Sequence, residues 1–168
     1  MYTLRCTRPL LKRLGPLTAL GPGPAPDATT ALGDWYANRL NIGRHRLVLC
    51  TNERSLLSVV VPAKDLARLP QRLVESMAVL LRRIGIPAAA VAREAREMQW
   101  VRFDATVSRS VLGSMNDFAL TAHSFLHHPD IPVVYLEDLD WRLNETPCGP
   151  LAYAQPVERA RELLLGAA

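Results

Sequence analysis

Arg, Ser, Gly, Asn and Asp are crowded into one short segment, Ser108–Phe118, where a predicted strand meets a predicted helix. Backbone amides at the start of a helix have no intrahelical partner, and an arginine beside them adds a charge that suits phosphate and carboxylate groups. The residue types at this junction therefore predict a site for an anion. It would be built from Arg109, Ser110, Gly113, Ser114 and Asn116.

Two interpretations of this junction stay open. In the first, Ser114 is the N-cap and Asp117, three residues later, completes an arrangement like a capping box that needs no ligand. In the second, the helix starts nearer Ser110 and carries two adjacent polar stripes, Ser110, Ser114 and Asp117 on one and Arg109, Gly113 and Asn116 on the other. Gly113 would then let a ligand or another backbone approach closely. Capping alone does not require Arg109 and Gly113.

A second polar block contains the aromatic pair Trp35 and Tyr36, flanked by Asp34 and Asn38. Aromatic rings can stack on a base or another ring, so this block is a candidate extension of the binding surface. The alternative is that both rings fill the core, which needs them because aromatic residues are only 6% of the chain.

An enzyme is the rival interpretation, in the form of a small toxin-type ribonuclease or another hydrolase. Arg109 would hold the scissile phosphate, with Glu53, His45 or Tyr36 as acid or base. The chain contains no phosphate-binding P-loop, dinucleotide fingerprint or nucleophile elbow.

Metal and thiol chemistry have weaker signals. His123 and His127 are four residues apart, but Ser124 stands where an H-E-x-x-H motif has glutamate, so neither a metal site nor a cofactor is predicted. Cys148 lies in a Pro- and Gly-rich turn that would expose its thiol, with no base nearby to activate it.

Composition predicts one domain that spans residues 1–168, with 49% hydrophobic and 21% charged residues. The net charge of +4 is a modest excess that surface salt bridges explain as well as nucleic acid does. Three scattered cysteines indicate reduced thiols in a cytoplasm. No apolar run approaches the roughly 20 residues of a membrane span. A soluble cytoplasmic protein is expected.

The elements that must position these residues are patterned as an α+β fold with a small, mostly antiparallel sheet. Two β-rich runs predict a central hairpin over about residues 46–61, with its unbroken Val59–Val61 in a strand covered on both faces. Three- and four-residue apolar spacing predicts a helical hairpin over 65–99 and a helix over 110–127, both packed against the sheet. Residues 15–30, rich in Gly and Pro, are predicted to form a mobile loop.

Four blocks of sequence carry a resemblance that covers nearly the whole chain. They are Thr30–Asn38 (TALGDWYAN), Asn52–Leu57 (NERSLL), Arg109–Phe118 (RSVLGSMNDF) and Glu145–Leu151 (ETPCGPL). In this order they resemble a family of small bacterial proteins known as a domain of unknown function. The resemblance implies a bacterial cytoplasmic protein. It supplies no activity and no catalytic residues.

Three functional hypotheses follow. The preferred one is a non-enzymatic module that binds an anionic partner, nucleic acid or a phosphorylated ligand, at the 108–118 junction. The second is the ribonuclease or hydrolase. The third is a homo-oligomer or protein-interaction module with the 65–99 hairpin as its interface.

Overall fold

One five-stranded sheet organises the described part of the chain, which in this computed structural model comprises residues 1–15, 26–127 and 135–166. β1 runs parallel to both of its neighbours, β2 and β5, whereas β2, β3 and β4 form an antiparallel meander. The order across the sheet is β4-β3-β2-β1-β5. The strands are β1 (Tyr2–Cys6), β2 (Trp35–Ile42), β3 (His45–Asn52), β4 (Ser58–Pro62) and β5 (Val101–Ala105).

Proline in the first turn helps to start three of the described helices, α1, α2 and α6. The helices are α1 (Arg8–Leu14), α2 (Leu69–Arg83), α3 (Ala88–Glu97), α4 (Arg109–Leu126), α5 (Leu136–Asn144) and α6 (Pro156–Leu165). Gly85 separates α2 from α3 with a φ of +83°, a conformation that favours glycine. No helix in the described residues combines the length and apolar character needed to cross a membrane.

Strand alternation divides the core into two layers, one on each face of the sheet. On the first face, Trp35 and Ala37 of β2 pack with residues of α1, α2, α3 and α6. On the second face, Tyr36 and Leu40 of the same strand pack with residues of α4 and α5. Helices therefore cover both sides of the sheet.

The α+β class, the hairpin, the helical pair and the helix after β5 are confirmed. One detail differs, because β4 lies at an edge of the sheet and not at its centre. The prediction that both faces of this strand are covered is confirmed, since Val59 and Val61 pack in the first layer of the core and Val60 packs in the second. The predicted mobile loop falls mostly outside the described residues.

Side chains from α5 occupy the outer edge of β4. The carboxylate of Asp140 accepts a hydrogen bond from the Val60 amide at 2.7 Å through Oδ1. Asn144 accepts one from the Ser58 amide at 2.7 Å and donates one to the Ser58 carbonyl at 2.6 Å. An open strand edge is a template for unwanted pairing, and here one turn of helix satisfies three of its backbone groups.

Candidate functional site

The predicted anion site lies at the start of α4, which begins at Arg109. Ser108 is the N-cap, and its hydroxyl accepts a hydrogen bond from the Val111 amide at 3.3 Å. The interpretation of Ser114 as an N-cap partnered by Asp117 is therefore wrong, because Ser114 lies more than one turn inside the helix and is buried.

Tyr36 anchors the start of this helix to the sheet. Its phenolic oxygen accepts a hydrogen bond from the Ser108 backbone amide at 3.2 Å. Burial raises the pKa of Tyr36, and the nearby negative charge of Glu53 raises it further, while the hydrogen bond from Ser108 and the charge of Arg5 lower it. We call Tyr36, Glu53, Ser108, Arg109 and Ser110 the α4 corner.

Substituting Tyr36 with phenylalanine tests this anchor. The variant keeps the packing of the ring but leaves the Ser108 amide without its acceptor, so we expect the free energy of unfolding to fall by about 1–2 kcal/mol. Urea unfolding followed by circular dichroism measures the change. The matched control is Tyr153→Phe, at a side chain that is 78% exposed, and it should be neutral. Equal stability of the two variants would contradict an anchoring role.

An ion-pair cluster lies on β1 and its two neighbouring strands. Arg5 Nη2 lies 3.2 Å from Asp34 Oδ2, and Arg5 Nη1 lies 3.6 Å from Asp104 Oδ2. Asp34 also accepts a hydrogen bond from the Thr3 amide at 2.8 Å. Because the parallel register places Arg5 beside both Tyr36 and Asp104, the sheet itself assembles this cluster at the α4 corner.

The polar residues of α4 separate into an exposed and a buried set. Arg109, Gly113 and Asn116 are exposed, and their spacing places them on one stripe of the helix surface. Ser110 is exposed beside them, whereas Ser114 is buried. A Cβ built on Gly113 would meet no described atom within 4 Å, so packing does not require glycine at this position.

The aromatic block does not form one surface. Trp35 is fully buried in the first layer, on the face of the sheet opposite Tyr36, so its indole packs in the core as the alternative interpretation proposed. Asn38 is half-buried and its Oδ1 accepts a hydrogen bond from Thr7 at 3.0 Å. Of this block, Asp34 and Tyr36 reach the region of the α4 corner.

The residues considered as acid or base lie at two ends of the sheet. β2 and β3 pair Tyr36 with Thr51 but Ile42 with His45, so His45 is six strand positions, about 20 Å, from the α4 corner. Glu53 is exposed and close enough to Tyr36 to affect its pKa. The structure therefore brings Tyr36, Glu53 and Arg109 to one end and leaves His45 at the other.

His123 and His127 stack on each other with ring centroids 4.3 Å apart. Nδ1 of His127 is 3.0 Å from the His123 carbonyl, which leaves that nitrogen engaged with the backbone. Across residues 1–15, 26–127 and 135–166, no group of three or more His, Cys, Asp or Glu side chains is arranged to hold a metal ion.

A family model described as "Domain of unknown function (DUF6933)" matches residues 3–159. The chain belongs to this family. No curated protein and no solved structure matches the chain. The match confirms the resemblance seen in the sequence, and because the family description carries no activity, function has to be argued from the geometry.

Three of the four sequence blocks described above meet around the α4 corner. Asn52 joins the first two, since its amide nitrogen donates to the Leu32 carbonyl at 2.9 Å and to the Asp34 carbonyl at 3.1 Å. The bond between Tyr36 and Ser108 then connects them to the start of α4. Much of what these blocks do in this member of the family is structural.

The fourth block packs against the middle of α4. Ser114, Asp117 and Cys148 line a small cleft of about 140 Å³ between them. Cys148 is only 7% exposed and its thiol donates to the Thr146 carbonyl at 3.3 Å, so the prediction of an exposed thiol is wrong. Burial, followed by the charge of Asp117, raises its pKa and disfavours the nucleophilic thiolate.

Several residues with special environments were missed in the sequence. Arg5 and Asp104 are distant in sequence and meet only through the parallel pairing of β1 and β5. Asp140 and Asn144 carried a local signal, because they are four residues apart and follow directly after Leu139 and Leu143. A carboxylate and an amide beside the apolar stripe of a helix indicate polar groups that enter the core.

Proposed function

We propose that this chain is a non-enzymatic binding module that holds the phosphates of an anionic partner, nucleic acid or an extended phosphorylated ligand, at the α4 corner. The observation that carries the proposal is the exposed start of an 18-residue helix with Arg109 at its first position and no acidic residue in its first turn. The positive end of the helix dipole is therefore not neutralised from within the helix.

Backbone donors support the proposal. No hydrogen-bond partner occurs among the described residues for the amides of Arg109 and Ser110, whereas Val111 and Leu112 are satisfied by Ser108. Two outward-facing amides beside a guanidinium are the elements of a phosphate site at a helix start. The bond from Ser108 to Tyr36 holds this arrangement rigid against the sheet.

The neighbouring charges also fit an anion. Asp34 and Asp104, two of the carboxylates nearby, are paired with Arg5. Glu53 and, further along α4, Asp117 are also acidic, and solvent screens their exposed side chains. Asn116 lies about 10 Å along the helix from Arg109, so a single phosphate cannot touch both. A ligand with more than one phosphate, such as a nucleic-acid strand, could use the whole exposed stripe.

Binding is favoured over hydrolysis because the proposed acid–base groups are only partly assembled: Tyr36 and Glu53 lie near Arg109, but His45 does not. Tyr36 has a raised pKa and holds the Ser108 amide, and His45 is at the far end of the sheet. Binding is also favoured over a role as an oligomer interface, because the apolar residues of α2 and α3 pack mainly into the first layer of the core. The bacterial cytoplasm, with its reduced thiols, remains the proposed location.

Two substitutions separate anion binding from helix stability. Arg109→Ala should weaken binding of fluorescent single-stranded RNA or DNA about five- to tenfold at low salt, because one phosphate contact is lost. Ser110→Asp should abolish binding by repulsion while leaving the helix as stable or up to about 1 kcal/mol more stable, because a carboxylate in the first turn favours the dipole. Fluorescence anisotropy over a salt series measures both.

Arg142→Ala is the matched control, since Arg142 is exposed on α5, the helix that bonds to the edge strand β4. It removes the same charge and should leave affinity nearly unchanged. An equal loss in Arg109→Ala and Arg142→Ala would reduce the interaction to net charge alone. If no RNA, DNA or phosphorylated probe binds even at low salt, the proposal is wrong. Growth arrest on expression, abolished by Arg109→Ala, would instead favour the ribonuclease.

A further inference from the structure

A second cavity lies far from the chemistry of the α4 corner, between α2, the edge strand β4 and α5. Its volume is about 510 Å³, within the range of roughly 300–1,000 Å³ that small-molecule pockets occupy. Val60, Val79, Leu80 and Leu136 give it an apolar wall. This wall can accept the body of a small organic molecule.

The polar group at the base of this cavity is Asp140. The residue is 4% exposed, and its Oδ1 accepts the bond from the Val60 amide. Among the described residues, no hydrogen-bond partner occurs for its Oδ2. The carboxylate therefore has capacity for a donor supplied from the cavity.

Covering the edge of β4 does not explain why this residue is acidic. Asn144 caps Ser58 on the same strand with a neutral amide, and an asparagine at position 140 could accept from Val60 equally well. The acid instead brings a titratable group into an apolar site, which costs free energy unless a partner offsets it. The unexplained feature is the titratable carboxyl group and not the hydrogen bond.

The other charges on the cavity wall are mostly negative. Glu75 of α2 and Glu137 of α5 contribute carboxylates, and β4 contributes no charged side chain. Arg83 of α2 is the basic residue of the lining, and it is already engaged. It lies 3.6 Å from Asp138, donates to the Glu137 carbonyl at 3.1 Å and stacks 4.6 Å from the ring centroid of Trp141.

We propose that this cavity binds a small organic amine, with its ammonium group on Asp140 and its apolar body against Val60, Val79 and Leu136. The negative wall, the apolar lining and a carboxylate oxygen that has no partner among the described residues together select a cation with a hydrophobic body. A carboxylate or phosphate ligand would meet repulsion from Glu75 and Glu137.

Titration of Asp140 gives the site a pH signature. Burial raises the pKa of Asp140 to about 8, with Glu137 raising it and the Val60 amide and Arg83 lowering it. At neutral pH the empty site therefore holds a proton that an ammonium group must displace. At pH values below that pKa, the affinity for an amine should increase up to about tenfold for each unit by which the pH is raised, because one proton is released on binding.

Three probes of one shape test the proposal: benzylamine, benzyl alcohol and benzoate, titrated into the full chain and followed by amide chemical shifts in NMR spectra. Benzylamine should bind with a dissociation constant on the order of 1 mM and shift resonances along α5 and β4. Benzyl alcohol should bind at least about tenfold more weakly, as expected for loss of a charge-assisted hydrogen bond. Equal binding of all three probes, or none by benzylamine, would overturn the proposal.

Two variants assign the effect to the cavity. Asp140→Asn should lose about tenfold in benzylamine affinity and all of its pH dependence, while keeping an acceptor for Val60. Val79→Phe fills the cavity from a position that is 45% exposed, so it should block binding even if the first variant folds poorly. Arg109→Ala should bind benzylamine normally. Unchanged affinity in both cavity variants would place the amine elsewhere and refute the site.

Discussion

Replacing Asn52 with alanine is expected to lower the free energy of unfolding by about 4 kcal/mol, because several buried groups lose a side-chain partner at once. Asn52 is fully buried where β3 ends. Its amide nitrogen donates to the Leu32 and Asp34 carbonyls. Its oxygen accepts from the Arg54 amide at 3.1 Å and from the Ser55 amide and hydroxyl at 2.9 and 2.8 Å.

The backbone of this turn makes Asn52 harder to replace. Leu56 adopts a φ of +56°, a conformation that a bulky residue holds only when its surroundings impose it. The Asn52 carbonyl accepts from the Leu56 amide at 3.1 Å, and the Asn52 amide donates to the Leu57 carbonyl at 2.8 Å. Loss of the side-chain bonds therefore removes part of what maintains the strained residue.

Urea unfolding followed by tryptophan fluorescence and circular dichroism measures this effect. Asn41→Ala is the matched control, because Asn41 is exposed on β2, and it should change stability by less than about 0.5 kcal/mol. Asn52→Asp keeps the acceptor but sets a negative charge against two carbonyls, so it should also destabilise. A loss of less than about 1 kcal/mol in Asn52→Ala would show that the turn is held by its backbone alone.

Elements with a strong apolar period could be predicted from the sequence. Leu69, Leu73, Met77 and Leu80 recur at helical spacing, and all four are buried on one face of α2. Val101 and Phe103 alternate with charged residues and enter the first layer of the core. In these segments the apolar spacing of the sequence agrees with the tertiary packing, so the spacing alone was sufficient to predict the element.

Features that depend on strand order could not be predicted in this way. An unbroken run such as Val59–Val61 indicates burial on both faces, but it does not distinguish a central strand from an edge strand covered by helices. The sequence pattern also does not show which strand α5 packs against, because tertiary packing decides it. Asp140 and Val60 are 80 residues apart in the sequence, so only the structure shows that Asp140 bonds to the edge of β4.

The candidate site was predictable in part for the same reason. The exposed stripe of Arg109, Gly113 and Asn116 follows from helix geometry once the helix begins at Arg109. The sequence offers Ser108, Ser110 and Ser114 as possible N-caps. The structure uses Ser108, whose amide also bonds to Tyr36 in the sheet. His45 and Tyr36 are close in sequence, yet an antiparallel hairpin places them at opposite ends of its strands.

Raising the pH should destabilise the folded protein through Asp140. Burial raises the pKa of this carboxyl from 3.8 to about 8 in the folded chain. Between about pH 4 and pH 8 the folded state binds more protons than the unfolded state. The contribution of Asp140 to the free energy of unfolding is therefore fully present below about pH 4 and decreases as the pH rises toward 8. The slope can reach about 1.4 kcal/mol per pH unit.

Asp140→Asn removes this titration while keeping an acceptor for the Val60 amide, so its stability relative to the natural chain should rise steadily from pH 5 to pH 8. Urea unfolding of both proteins at each pH measures the difference. Burial also raises the pKa of Glu94, but that group is present in both proteins and cancels. The control Asp138→Asn changes an exposed carboxyl on the same helix, so its stability should vary with pH in the same way as that of the natural chain. A constant difference between the natural chain and Asp140→Asn would mean that Asp140 is charged in the folded protein throughout this range, and that its cavity is better solvated than its burial implies.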